Sequence, residues 1–162
     1  MARMFITGEN PKEAVPVLKK ARKMNLCATV DLLGEATLSE VEAHEYSERY
    51  QELINQLSEE AKAWPDIDQL DKDERGPLPK VNVSVKLTSL YSQIKEAAWE
   101  DSVEILKNRL RPILTLAVEK NVFINIDMEQ YAHKALTLEV FKQVLLEPAF
   151  KSYPHFGIVI QA

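Results

Sequence analysis

The stretch KVNVSVKL (residues 80–87) decides the fold class of this chain, because its side chains alternate between two kinds. Successive side chains of a β-strand face opposite sides of the sheet. The apolar set is Val81, Val83, Val85 and Leu87, and the polar set is Asn82, Ser84 and Lys86. The sequence therefore predicts a strand with one side suited to packing under helices and another side that is polar and ends on a lysine.

Three further runs rich in valine and isoleucine predict strands of the same kind. They are ATVDLLG (28–34), VFINIDM (122–128) and GIVIQA (157–162). Stretches with helical periodicity separate them, and one more helix, from about Pro11 to Met24, precedes the first strand. This αβαβαβαβ order predicts four parallel strands joined by right-handed crossovers.

Polar residues mark where three of the helices begin. Asn10, followed by Pro11, predicts the start of the first helix. Ser39 and Glu42 have the spacing of a capping box ahead of the second helix, and Thr137 is a candidate cap for the last one. The segment 58–79 is acidic and carries three prolines. We predict that it is a solvated acidic insertion or loop within a single domain that spans residues 1–162.

The polar sides of the strands distinguish two α/β architectures. An open doubly wound sheet needs two apolar faces, because helices cover both. A (β/α)₈ barrel has helices only outside, and its active site lies at the carboxyl ends of its strands. Each predicted strand carries one apolar side and a polar residue near its carboxyl end, namely Asp31, Lys86, Asp127 and Gln161. This pattern favours an α/β fold of the TIM-barrel family.

The length of the chain fits only part of such a barrel. A full barrel takes about 250 residues and eight strands, whereas 162 residues and four predicted strands are present here. The chain ends on the apolar run HFGIVIQA, which reads as a buried strand without its neighbour. We therefore expect a truncated half-barrel with about four parallel strands and flanking helices.

The strand ends also suggest a site. Lys86 and Asp127 lie on neighbouring strands and are expected to pair within a pocket, where the lysine donates hydrogen bonds and the aspartate accepts them. Gln161 has both a donor and an acceptor, which suits the edge of a heterocycle such as a flavin. A buried structural ion pair is the alternative for Lys86 and Asp127. For Asp31 the alternative is a simple strand-to-helix turn, with Glu35 near the helix start.

Composition excludes several classes of protein. The chain has 20 basic and 25 acidic residues, a net charge of −5 that does not indicate nucleic-acid binding. No apolar run approaches the roughly 20 residues that span a bilayer. Cys27 is the only cysteine, so we expect no disulfide within the chain, a small buried side chain, and a reducing cytoplasm as its location. The histidines lack ligand spacing, so no metal site is predicted.

Four segments carry a resemblance to a known family. DLLGEATLSEVEAHEY, VNVSVKLTSLYSQ, INIDMEQY and FGIVIQA, in that order, resemble the proline dehydrogenase domain of bacterial proline catabolism. This domain occurs in bifunctional proline utilisation A and in stand-alone proline dehydrogenases. The resemblance covers nearly the whole chain, and FITGENPKEAVPVLKKAR makes it closest to the bifunctional type.

The resemblance implies a (β/α)₈ barrel that binds FAD at the carboxyl ends of its strands. It implies hydride transfer from C5 of L-proline to the flavin, which gives pyrroline-5-carboxylate in the first step of proline catabolism to glutamate. Electrons then pass to a membrane quinone, and the complete enzyme is expected to associate peripherally with the membrane. In the bifunctional type a second domain oxidises the derived semialdehyde with NAD.

The resemblance also assigns residues. The strand-two lysine of the family falls on Lys86 and the strand-three aspartate on Asp127, both lining the proline pocket. The strand-four glutamine falls on Gln161, beside the reactive ring of the flavin, and Asp31 and Glu35 match the DLLGE turn. The family's flavin-contacting arginine and its arginine pair for the substrate carboxylate come later than this chain reaches, so we expect the isolated chain to be inactive.

Two alternatives remain open at this point. One is a non-enzymatic half-barrel that self-associates or binds a partner through its open strand edge, because unpaired backbone groups invite pairing. The other is a different barrel enzyme with a phosphate-bearing substrate. That reading is disfavoured, because the usual phosphate site of such barrels follows strands seven and eight.

Overall fold

The computed structural model describes residues 7–8, 10–34 and 37–160. Its helices are α1 Pro11–Lys23, α2 Glu40–Ala61, α3 Asp68–Asp71, α4 Trp99–Lys120 and α5 Lys134–Leu145. Its strands are β1 Thr29–Asp31, β2 Lys72–Asp73, β3 Gly76–Pro77, β4 Asn82–Lys86, β5 Phe123–Asp127 and β6 Phe156–Ile158. Short 3₁₀ turns lie at Leu87–Ser89, Glu96–Ala98 and Tyr131–His133.

Strands β1, β4, β5 and β6 form one parallel sheet in that order. The order of these four strands in the sheet is the same as their order along the chain. Strands β2 and β3 form a separate small antiparallel hairpin. A doubly wound sheet reverses its strand order at a switch point, whereas successive units of a TIM barrel do not. The predicted α/β fold with four parallel strands and flanking helices is confirmed.

The two faces of the sheet differ as the alternation predicts. Val83, Val85, Ile124 and Ile126 are buried in the hydrophobic core. Helix residues that share this core include Tyr50, Ile54, Leu57, Leu106, Leu110 and Leu114. Burial of each large aliphatic side chain stabilises the fold by about 1.5–3 kcal/mol. The opposite face carries the polar side chains, so the helices fix the sheet while this second face remains available for a site.

Two of the three predicted helix starts are confirmed. Asn10 caps α1 by accepting the N–H of Glu13 at 3.1 Å. Ser39 caps α2 by accepting the N–H of Glu42 at 3.2 Å. The prediction of Thr137 as a cap is wrong, because the 3₁₀ turn at Tyr131–His133 runs directly into α5 and leaves Thr137 buried inside the helix.

The predicted last strand is displaced and shortened. It covers Phe156–Ile158, and of the predicted range 157–162, residues 159 and 160 are not in the strand, whereas residues 161 and 162 lie outside the described residues. Asn125 on β5 pairs with Gly157, and Ile126 pairs with Ile158. The chain still follows β5 for one more residue, because the N–H of Val159 donates to the carbonyl of Ile126 at 2.9 Å.

The segment 58–79 is less solvated than predicted. Its first residues continue α2, and the side chains of Trp64 and Leu70 are buried. Arg22 on α1 donates to both carboxylate oxygens of Asp71, at 2.9 and 2.6 Å, and both side chains are only 9% exposed. The prediction of a solvated segment is therefore wrong at Trp64, Leu70 and Asp71, because the acidic composition gave no sign of these contacts. Whether the segment is an insertion stays a prediction.

Candidate functional site

Three charged side chains stand at the carboxyl ends of adjacent strands. Asp31 ends β1, Lys86 ends β4 and Asp127 ends β5. In the register of the sheet, Asp31 lies beside Ser84 and Lys86 lies beside Asp127. The predicted edge of polar residues is therefore present for these three residues. Gln161 and Glu35, which were also predicted here, lie outside the described residues.

Lys86 pairs with Asp31 and not with Asp127, which corrects the predicted pairing. The ammonium Nζ lies 2.9 Å from Oδ1 and 2.7 Å from Oδ2 of Asp31, and 3.3 Å from the carbonyl oxygen of Leu32. The carboxylate of Asp127 instead accepts the N–H of Met128 at 2.9 Å. The register of the sheet places the backbones of Lys86 and Asp127 side by side. Asp31, at the end of the short strand β1, lies beside Ser84, and from there its carboxylate contacts the ammonium.

The backbone of Lys86 is fixed by buried hydroxyl groups. The Tyr50 hydroxyl on α2 accepts the N–H of Lys86 at 3.1 Å, and the Ser89 hydroxyl donates to the Lys86 carbonyl at 2.6 Å. Tyr50 is fully buried, and this burial raises the pKa of its phenol. The position of Tyr50 on the buried face of α2 is typical of a core residue, but helical periodicity does not show which strand residue its hydroxyl contacts.

A second carboxylate, that of Glu129, lies close to the Lys86 ammonium. Glu129 follows β5 by two residues, and its Oε1 lies 4.0 Å from Lys86 Nζ. Its other oxygen accepts a hydrogen bond from the hydroxyl of Thr88. Sequence reasoning missed Glu129, although its position two residues after the strand-ending Asp127 was a usable signal.

Electrostatics keep Lys86 protonated despite its burial. Its side chain is only 10% exposed, and burial alone lowers the pKa of a lysine. The hydrogen-bonded Asp31 carboxylate, with a further contribution from Glu129, outweighs this effect and holds the pKa of Lys86 above its ordinary value. The site therefore contains a fixed ammonium group at neutral pH.

The turn after β1 depends on a glycine. Gly34 has φ of +145°, and a Cβ built there would lie 1.7 Å from the Tyr46 hydroxyl. That hydroxyl donates to the carbonyl of Leu33 at 3.2 Å. Only glycine allows α2 to approach the turn this closely. The DLLG sequence thus sets the path of the chain immediately after Asp31.

Within residues 7–8, 10–34 and 37–160, no group of three or more His, Cys, Asp and Glu side chains could hold a metal ion. Cys27 is exposed, so the prediction that it is buried is wrong; it lies in the loop between α1 and β1. In the same part of the chain, no helix is long and apolar enough to cross a membrane.

Comparison with protein families identifies the lineage. The model of the family described as proline dehydrogenase matches residues 14–162. The chain belongs to the proline dehydrogenase family. This confirms the resemblance in the strand segments, including the VNVSVKL stretch that carries Lys86.

Individual members of the proline dehydrogenase family match almost the whole chain. Proline dehydrogenase 1 of Bacillus subtilis subsp. natto is 33% identical over 161 residues, which are 99% of this chain and 44% of that protein. The bifunctional protein PutA of Escherichia coli (strain K12) is 28% identical over 162 residues, which are 100% of this chain and 11% of that protein. The chain thus spans less than half the length of these relatives.

Solved structures agree with the family assignment. A structure of proline utilization A (PutA) from Bdellovibrio bacteriovorus, inactivated by N-propargylglycine, is 60% identical with a TM-score of 0.95. The match covers 99% of this chain and 17% of that one. PutA from Corynebacterium freiburgense is 29% identical with a TM-score of 0.75, covering 96% and 14% of the two chains.

Proposed function

We propose that this chain supplies part of the active site of an FAD-dependent proline dehydrogenase. The reaction is the oxidation of L-proline to pyrroline-5-carboxylate, the first step of proline catabolism to glutamate. The observation that carries the proposal is the buried, protonated Lys86 at the carboxyl ends of three parallel strands, in a chain of this family. The carboxyl ends of the strands are where a TIM barrel places its active site.

The four strands correspond in this proposal to the first half of a (β/α)₈ barrel. Their parallel order β1-β4-β5-β6 and their one apolar face support it. The polar face would then line the barrel interior. The remaining strands would complete the pocket, together with the arginines that the family uses for flavin and substrate.

Lys86 is the residue that binds the substrate carboxylate in this proposal. An ammonium donates three hydrogen bonds, and Lys86 already has three acceptor atoms, two on Asp31 and one on Leu32. Substrate binding therefore requires that Lys86 exchange at least one of them. Charge-assisted hydrogen bonds of this kind contribute about 1.5–3 kcal/mol each.

Asp127 lines the same pocket on the neighbouring strand. The Met128 N–H uses one acceptor position of its carboxylate, and a carboxylate has about four such positions. Asp127 can therefore also accept a hydrogen bond from the substrate or from a pocket residue. Together, Lys86 and Asp127 provide opposite charges that orient a zwitterionic amino acid.

The polar carboxyl ends of the strands suit the polar edge of a flavin. Gln161, which lies outside the described residues, is proposed beside the reactive ring. FAD, when bound, supplies the two-electron acceptor for the reaction. The part of this chain is to hold proline by its carboxylate and to fix the orientation of its ring.

The electron acceptor and the location follow from the same proposal. We propose a membrane quinone as the final acceptor, and a cytoplasmic protein that associates peripherally with the membrane. Self-association through a sheet edge stays a prediction. Sedimentation of the purified chain at micromolar concentration tests it, and a clean monomer would contradict it.

The test uses a hybrid protein in which this chain replaces the matching segment of the Bdellovibrio protein. Lys86→Ala and Asp127→Ala should each remove most proline-dependent flavin reduction. The matched controls are Lys95→Ala and Asp101→Ala, at positions exposed on the surface, and they should retain it. Wild-type turnover in Lys86→Ala or Asp127→Ala, with flavin content unchanged, would refute the assigned roles.

A further inference from the structure

Lys86 lies between two carboxylates that differ in exposure and in attachment. Asp31, which makes the short contacts, has a side chain that is 45% exposed, whereas the Glu129 side chain is 18% exposed. At 4.0 Å, Glu129 is within ion-pair range of the ammonium but makes no direct hydrogen bond to it. The two carboxylates therefore act on the ammonium in different ways, Asp31 through short hydrogen bonds and Glu129 through a longer ion-pair contact.

Thr88 fixes the more buried carboxylate. Its hydroxyl donates to Glu129, which joins the turn after β4 to the segment after β5. Its carbonyl accepts the N–H of Thr37 at 3.3 Å, and the Thr37 hydroxyl lies 3.4 Å from the same oxygen. Three of the segments that follow strands thus meet at Thr88. Asp31 has no such support beyond its own contact with Lys86 among the described residues.

We propose that Glu129, held by Thr88, is a positioning residue that keeps the Lys86 ammonium in place while Asp31 gives way to the substrate carboxylate. The inference rests on the proposed function, because it concerns how Lys86 becomes available to proline. Asp31 is half-exposed and occupies the hydrogen-bond positions that a substrate carboxylate needs. Glu129 does not occupy them, so its attraction for the ammonium persists when the substrate is bound.

The balance of charge around the Lys86 ammonium supports this division of roles. A substrate carboxylate that displaces Asp31 replaces one anion by another beside the ammonium, while Glu129 remains as a second, fixed anion. Without Glu129, the ammonium would keep only Asp31 and the Leu32 carbonyl as partners and would follow the exposed Asp31 toward solvent. We therefore expect loss of Glu129 to weaken substrate binding more than it slows the chemical step.

The first test measures the charge state of Lys86 and does not depend on turnover. The titratable groups that act on Lys86 are Asp31, Glu129 and Tyr50, and Asp127 lies beside it on β5. In the purified 162-residue chain, the pKa of Lys86 is read by NMR of the labelled side chain. Glu129→Gln should lower this pKa, and Glu100→Gln, at an exposed position in the first turn of α4, should leave it unchanged.

The second test measures proline kinetics in the hybrid protein. Glu129→Gln should raise KM for proline about tenfold, because the ion-pair attraction that keeps the ammonium in place is lost, with kcat changed less than about threefold. Thr88→Val should raise KM in the same direction, because it removes the hydroxyl that holds Glu129. Thr88→Ser keeps that hydroxyl and should restore the wild-type KM.

Several results would overturn the inference. An unchanged Lys86 pKa in Glu129→Gln would show that the carboxylate does not act on the ammonium. A fall in kcat without a rise in KM would assign Glu129 to the chemical step, and a Thr88→Val variant with normal KM would remove Thr88 from the account. A wild-type hybrid that binds flavin but does not oxidise proline would contradict the proposed function instead, and the NMR titration would still decide the role of Glu129.

Discussion

The choice of partner for Lys86 can be measured with two double-mutant cycles. One cycle combines Lys86→Met with Asp31→Asn, and the other combines Lys86→Met with Asp127→Asn. The sequence predicted the second pair, whereas the structure shows short contacts only for the first. The coupling energy in each cycle therefore distinguishes register neighbours from bonded partners.

The expected coupling lies between two limits. Exposed ion pairs typically contribute about 0.2–1 kcal/mol, and breaking a buried pair costs about 3–5 kcal/mol. Here the Lys86 side chain is 10% exposed and the Asp31 side chain 45% exposed. Because solvent screens the exposed aspartate, we expect a coupling of about 1–2 kcal/mol for Lys86 with Asp31, and less than about 0.5 kcal/mol for Lys86 with Asp127.

Urea unfolding of the purified chain at pH 7 provides the four free energies of each cycle. The pKa of Lys86 is raised in the folded state, so the stabilisation by the ion pair is fully present at pH 7 and is lost only as pH rises through the raised pKa. A coupling with Asp127 that equals or exceeds the coupling with Asp31 would refute this account of the site.

Three further substitutions test the supports of the site and fold by urea unfolding. Tyr50→Phe should lower the free energy of unfolding by about 1–3 kcal/mol, because it leaves the buried N–H of Lys86 without its acceptor. Gly34→Ala should cost more than Gly76→Ala, because both have positive φ but only Gly34 also faces a close contact. Burial alone would raise the pKa of Asp71, but the hydrogen-bonded Arg22 outweighs burial and holds this pKa below its ordinary value. Asp71→Asn should therefore lower the free energy of unfolding by about 3 kcal/mol at pH 7, and by progressively less as pH falls below about 4.

Each of these expectations has a result that contradicts it. Tyr131→Phe, at an exposed tyrosine, is the control for the phenol and should change stability by less than about 0.5 kcal/mol; an equal loss in both tyrosine variants would remove the special role of Tyr50. Equal losses of unfolding free energy in Gly34→Ala and Gly76→Ala would mean that the close contact with Tyr46 is unimportant. A cost for Asp71→Asn that stays constant from pH 7 to pH 2 would mean that its charge does not stabilise the fold.

The fold was readable from the sequence because it depends on local patterns. Runs of valine and isoleucine marked all four strands of the main sheet, and their one-sided polarity distinguished a barrel-type arrangement from a doubly wound sheet. The boundaries were less predictable. The last strand begins at Phe156, since pairing with Ile124 on the neighbouring strand, and not β-propensity alone, determines where a strand starts.

The site was only partly readable, because side-chain partners depend on three-dimensional reach. Register places Lys86 beside Asp127, but a lysine side chain is long and flexible, and the end of a short strand left Asp31 within its range. Glu129 and Tyr50 were missed as partners of Lys86 for the same reason. Their contacts cross from one segment to another, and no spacing rule within one element predicts such contacts.

The central claim is that Lys86 binds the carboxylate of proline in a flavin-dependent oxidation. The most direct test is the anaerobic visible spectrum of the flavin-loaded hybrid protein during titration with L-proline. We predict that proline bleaches the flavin absorption of the wild-type hybrid, and that Lys86→Met retains flavin but needs at least about tenfold more proline for the same bleaching. Bleaching of Lys86→Met at the wild-type proline concentration would contradict the claim.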